Sequence, residues 1–128
     1  MATWADIQTH MRAAYQLQED EAEVLRMVWT YEDDRSQKVT VRRFQAFERD
    51  MVEVKSAFAL RESVDPTVVL EENSKLPLAT IALSGNVYLV VYNALMQSLT
   101  LEDLDFLLSR VAGVADTLEE KYVQTDFF

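Results

Sequence analysis

Apolar side chains recur along the first stretch of the chain at Trp4, Ile7, Met11, Ala14 and Tyr15, the spacing of one helical face. Thr3, with Asp6 three residues later, supplies a hydroxyl and a carboxylate for the free N–H groups of a first turn. The pattern predicts a helix of about four turns ending near Glu19-Asp20-Glu21. From Glu23 the period falls to two. Leu25, Met27, Trp29 and Tyr31 alternate with Val24, Arg26, Val28 and Thr30, a strand pattern rich in aromatic and β-branched residues. Asp33 to Gln37 is a turn, and a second strand runs from about Lys38 to Phe47. Neither side of it is purely apolar, which points to a bulge or a half-exposed position. After a turn at Glu48 to Asp50, Val52, Val54, Ser56, Phe58 and Leu60 form the buried side of a third strand. The short connections make these three an antiparallel meander.

Asp65-Pro66 predicts a helix start, with a short helix over Val68 to Ser74 closed by Pro77. Leu78 to Leu83 and Val87 to Ala94 then read as a hairpin around Ser84-Gly85-Asn86, whose glycine and asparagine tolerate positive φ. Thr100 and Asp103 repeat the helix-start pattern. Leu101, Leu104, Leu108, Val111, Ala115, Leu118 and Tyr122 follow in steps of three and four, broadened by Leu107 and Val114, as one long amphipathic helix. Gly113 inside it costs about 1 kcal/mol against alanine, which suggests close packing against a neighbour. The order α-β-β-β-α-β-β-α implies an α+β fold: a single domain over residues 1–128, with one largely antiparallel five-stranded sheet and helices packed on it.

Composition narrows the chemistry. The chain has 128 residues, 49% hydrophobic and 27% charged, the range of one domain with a sizeable core. No cysteine is present, which removes disulfides, thiolate metal sites and cysteine nucleophiles and suits a reducing compartment. The net charge is −10, a poor match for nucleic acid, whose binding needs a positive field. Residues 1–64 hold 9 basic and 12 acidic side chains, and residues 65–128 hold 3 and 10. Arg35, Lys38, Arg42, Arg43 and Arg49 form a local basic stretch, read as charges that keep a hairpin soluble or as a contact for an acidic partner. No apolar run is long enough for a membrane span, and the N-terminal residues lack a signal-peptide pattern. The expectation is a cytoplasmic protein with neither membrane nor nucleic acid as partner.

No residue pattern supplies catalysis. Glu19-Asp20-Glu21, Asp33-Asp34 and Glu71-Glu72 are adjacent pairs whose side chains diverge into solvent, and Glu102, Asp103 and Asp105 suit the first turn of a helix dipole. His10, between Ile7 and Met11, reads as a boundary histidine. Neither a calcium loop nor a zinc-spaced histidine pair occurs, and no Gly-x-Ser-x-Gly is present. The expectation is therefore no catalytic residues, no metal and no cofactor. What remains is a stock of large apolar side chains. Trp4, Met11, Tyr15, Trp29, Tyr31 and Phe44 are the protein-binding candidates, since a sheet covered on one face leaves the other open to a second chain. The two phenylalanines that end Val123 to Phe128 are expected to dock on the body or on a second subunit.

The element order resembles the type III secretion chaperone-like fold, and Val69 to Glu120 resembles its YbjN-type branch. Leu70-Glu71-Glu72-Asn73-Ser74-Lys75-Leu76-Pro77 is similar to the short helix with its Leu-Pro exit. Ile81 to Leu89 is similar to the hairpin that follows, Leu99 to Leu104 to the start of the closing helix, and Ala112 to Glu120 to its end. The resemblance implies a homodimer that holds an extended or partly unfolded protein segment on apolar helix and sheet patches, without catalysis. Proteins sharing this fold differ in their clients, and many have no secretion role. The other reading is a small-molecule-sensing regulatory domain, with its ligand between the sheet and the last helix.

Overall fold

Both capping boxes anticipated from the sequence form in the computed structural model, which describes residues 2–123 and 128. Thr3 Oγ1 accepts from Asp6 N–H at 3.1 Å while Asp6 Oδ2 accepts from Thr3 N–H at 3.0 Å, and Thr100 and Asp103 repeat the exchange. Between these starts and the chain ends lie helix α1 (Trp4–Ala14), strands β1 (Leu17–Asp20), β2 (Val24–Thr30), β3 (Ser36–Ala46) and β4 (Arg49–Leu60), helix α2 (Pro66–Asn73), strands β5 (Thr80–Ser84) and β6 (Val87–Leu95), and helix α3 (Leu101–Tyr122). Single 3₁₀ turns at Arg61–Ser63 and Met96–Ser98 link β4 to α2 and β6 to α3.

The class is α+β, but the sheet has six strands rather than five, ordered β1-β2-β3-β4-β6-β5 and antiparallel throughout. The added strand is β1. Its sequence, Leu-Gln-Glu-Asp, carries one apolar residue, too few for an alternation to show. It pairs antiparallel with β2, where Glu19 also meets Arg26, and Asp20 receives a two-point bond from Arg12, at 2.7 and 2.8 Å. Helix α1 therefore ends at Ala14, about a turn earlier than the sequence suggests. A short, charged strand at the rim also discourages pairing with stray chains.

One side of this sheet holds the core. Leu25 and Met27 of β2, Val39 and Val41 of β3, Val52, Val54 and Phe58 of β4, and Tyr88 and Val90 of β6 are all buried with Trp4, Ile7 and Met11 of α1 and Leu104, Leu108, Val111, Ala115 and Leu118 of α3. The period of two on each strand and of three or four on each helix makes these residues converge. Helix α2 starts on Asp65, whose carboxylate accepts from Thr67 N–H, with Pro66 in the first turn. Asn73 at its other end docks it on β5, its Oδ1 accepting from Ile81 N–H at 2.8 Å. The β5–β6 hairpin turns on Gly85 at φ 60, with positive φ at the first central residue only, as a II′ turn requires.

Two local features run against propensity. The turn from β3 to β4 places Phe47 at φ 54 and Glu48 at φ 61, a left-handed pair that ordinarily takes Asn-Gly. Phe47 is 94% exposed there, so burial does not repay the strain. Gly113 in turn has open space where a side chain would start, so close packing does not explain it. Replacing Phe47-Glu48 by Asn-Gly should raise the unfolding free energy by about 1–2 kcal/mol. Gly113→Ala should raise it by about 1 kcal/mol. Urea unfolding with an unchanged slope checks both.

Candidate functional site

The expected protein-binding residues are dispersed. Trp4 is 7% and Met11 0% exposed, and both lie on the buried face of α1, with Trp4 Nε1–H donating to Ala22 O at 2.8 Å. Tyr15 and Trp29 are half-buried and lie together, ring centroids 6.0 Å apart. Tyr31 opens the β2–β3 turn, where Asp34 N–H donates to its carbonyl. Its side chain is half-buried. Phe44 lies on the other side of the sheet under the Arg42 guanidinium, 4.6 Å from the ring centroid, a cation–π contact.

Two polar clusters tie the helix layer together. Tyr15 Oη–H donates to Asp105 Oδ1 at 2.6 Å, and His10 Nε2 lies 2.8 Å from the same oxygen. These contacts join α1 to α3 through one carboxylate. Burial, and then the hydrogen bond and charge of Asp105, push the Tyr15 phenol up. In the second cluster Arg35 reaches Asp116 at 3.0 Å and the fully buried Glu119 at 3.3 Å. Burial and the nearby Asp116 push the Tyr31 phenol up to about 12. Its oxygen is buried without a hydrogen-bond partner among the described residues.

The face of the sheet opposite the helices carries charge. Arg26 donates to Thr40 Oγ1 at 3.1 Å and pairs with Glu19, while Glu53 accepts from Arg42 and lies 3.1 Å from Lys55. Burial alone would raise the Glu53 carboxyl, but the hydrogen bonds from Arg42 and Lys55 hold it below the usual range. The basic stretch noted in the sequence is therefore largely matched internally: Arg35 to Asp116 and Glu119, Arg42 to Glu53, and Arg43 to Asp50. Arg49 reaches Gln97.

Exposed apolar surface lies at the rim instead. Phe106 is 57% and Leu70 67% exposed, and Leu83, Leu95 and Val68 are also open. Strand β6 outruns β5, since pairing between them ends at Thr80↔Val91 while β6 continues to Leu95. Residues 92–95 thus present a strand edge without a β5 neighbour. Beside it a groove of about 500 Å³ is lined by Leu78, Tyr92, Leu95, Leu99, Phe106 and Leu107, with Asn93, Ser98 and Asp103 as its polar members. Phe106 was not singled out by periodicity because it lies off the apolar face of α3. That off-face position was the signal.

Among the described residues no group of three His, Cys, Asp or Glu side chains is placed to hold a metal ion, and no helix is long and apolar enough to cross a membrane. No family model matches the chain, and a search of curated proteins finds no significant similarity.

The Glu53 cluster sets a pH response. A carboxyl depressed in the folded state adds stability that is present above its unfolded value of 4.5 and is lost as pH falls through the lower folded value. Glu53→Gln should lower stability by about 1 kcal/mol at pH 7, and the gap to the unmodified chain should close as pH drops below 4.5. Urea melts at stepped pH measure it.

Proposed function

We propose that this chain is a non-enzymatic, homodimeric protein-binding module, chaperone-like or regulatory, that holds an extended or partly unfolded protein segment on apolar patches of its helices and sheet. The observation that carries the reading is the groove at Phe106. There an open strand edge at residues 92–95 runs beside exposed Phe106 and Leu95. An extended segment can add main-chain hydrogen bonds to such an edge while its alternate side chains enter the apolar groove. Contiguous exposed apolar surface of this kind marks interaction sites. The resemblance to the type III secretion chaperone-like fold and its YbjN-type branch supports the same reading, and the net charge of −10 counters nonspecific association of that surface. A cytoplasmic setting agrees with the absence of cysteine.

A second reading, a regulatory domain that senses a small molecule between the sheet and α3, draws on the same groove. Its volume of about 500 Å³ falls within the range of ligand sites, and Asn93, Ser98 and Asp103 supply a few polar groups. Deeper entry would displace Leu104, Leu108 and Val111, all fully buried.

Light scattering should give twice the 14.7 kDa of one chain at micromolar concentration. A fluorescent, extended peptide of alternating valine and threonine should bind, with Phe106→Asp or Leu95→Asp weakening it about tenfold. A monomer that ignores the peptide overturns the proposal. Peptide-independent stabilisation by a small molecule, abolished by Phe106→Asp, would favour the sensing domain.

A further inference from the structure

The centre of the sheet is split. The β3–β4 ladder runs from Ala46↔Arg49 to Thr40↔Lys55 and stops there. Beyond that point β3 continues along β2 as far as Ser36, and β4 continues along β6 as far as Leu60. Backbone groups that face such a split must find partners other than the ladder. Ser56 Oγ–H donates to Lys38 O, and Gln37 Nε2–H donates across the split to Ala57 O. The Lys38 N–H donates to Phe128 O at 3.3 Å.

Phe128 thus meets, through its carbonyl oxygen, an N–H that the ladder leaves open. Its N–H donates to Glu119 Oε2 at 2.6 Å, on the helix side, and it also lines a concavity of about 500 Å³ on the opposite side with Arg26, Lys38, Thr40, Lys55 and Leu89. Three cations surround this concavity in a chain of net charge −10. Arg26 and Lys55 have carboxylate neighbours in Glu19 and Glu53, whereas the exposed Lys38 makes no ion pair among the described residues. Gln37 is fully buried, yet its Oε1 has no hydrogen-bond partner among the described residues. A buried, unmet acceptor beside a strand edge is a place for an incoming N–H.

We propose that the split between β3 and β4 is a strand-addition site for an extended acidic segment bearing an aromatic side chain, and that Phe128 is its intramolecular occupant. The main chain of the segment meets Lys38 N–H and Gln37 Oε1. Its aromatic side chain lies against Leu89 and Ala57, and its acidic groups face Lys38, Arg26 and Lys55. In sequence, the residues that end on Phe128, Asp126-Phe127-Phe128, have that composition. Occupation by Phe128 makes binding competitive: a client segment enters only as Phe128 leaves, which sets a threshold on client affinity or concentration. The inference rests on the protein-binding reading for the partner's being a polypeptide, but its surface is separate from the groove at Phe106.

The test uses the full chain and the capped peptide acetyl-Gln-Thr-Asp-Phe-Phe-amide. In calorimetry Phe128→Gly should bind the peptide at least about tenfold tighter than the unmodified chain, with the largest amide shift at Lys38. Adding Lys38→Glu and Lys55→Glu should weaken that binding about tenfold and remove its salt dependence. Equal affinity with and without Phe128, or binding that leaves Lys38 unmoved, overturns the proposal. Should Phe128→Gly fail to fold, the unmodified chain labelled with 4-fluorophenylalanine decides. Excess peptide should shift the Phe128 resonance, assigned through Phe128→Tyr, and a resonance unmoved at millimolar peptide overturns the proposal. The Phe106→Asp chain separates the two readings: with Phe128→Gly it should retain the pentapeptide while losing the valine–threonine peptide. Loss of the Lys38 response with the Phe106 groove still active overturns the split site alone.

Discussion

One helix covering one face of a broad sheet is the constraint from which the rest of this structure follows. Leu104, Leu108, Val111, Ala115 and Leu118 of α3 pack with Val39, Val41, Val52, Val54, Phe58 and Val90 into a single core, joined at one end by Trp4, Ile7 and Met11 of α1. Burial of these side chains contributes roughly 1.5–3 kcal/mol for each large one, and it sets the strand register, because a shift of one residue would turn every buried group to the other side. Among the described residues no helix covers its opposite face. That face carries Arg26, Arg42, Glu53 and Lys55, joined with Glu19 in carboxylate–cation pairs.

That division bears directly on function. A half-covered sheet invites a partner on its bare face, but here that face carries internally matched charges beside Phe44 and Met51, and the more exposed apolar side chains lie at the rim. Phe106 and Leu95 stand where β6 outruns β5, and Leu70 lies exposed on α2. The candidate binding surface is thus a strand edge with an apolar groove beside it, a geometry suited to extended polypeptide. Phe47 belongs to neither surface. It is held in a left-handed turn at the tip of the β3–β4 hairpin, almost fully exposed, and nothing in the structure explains the choice of residue.

Much of the fold was legible because local and global preferences agree. The two threonine–aspartate caps, the period of two from Val24 onward, the Gly85 turn and the long apolar stripe of α3 each state their element plainly. Strand β1 was not legible. Its residues are mostly polar, and what pairs with it, the β2 backbone together with Arg26 and Arg12, is contributed by other elements. Gly113 misled for a related reason: a mid-helix glycine suggests a tight neighbour, and no neighbour is there. Among the candidate residues, size and aromaticity pointed to Trp4 and Met11, yet side chains of that kind are what a core takes first. The open residue, Phe106, differed only in lying off the apolar face of its helix.

The amino-acid sequence by itself determined the class, the element types and most of their order, since periodicity and capping are properties of neighbouring residues. It also determined the lack of cysteine and the strongly acidic balance. Only the tertiary structure decided which apolar groups stay uncovered, because that depends on how far β6 runs past β5 and which side of the sheet α3 lies on. It alone decided that Arg42 and Arg43 of β3 answer carboxylates on β4, and that the β3–β4 ladder ends at Thr40, leaving the Lys38 N–H to Phe128. Those facts join residues far apart in the chain, where no local pattern reaches.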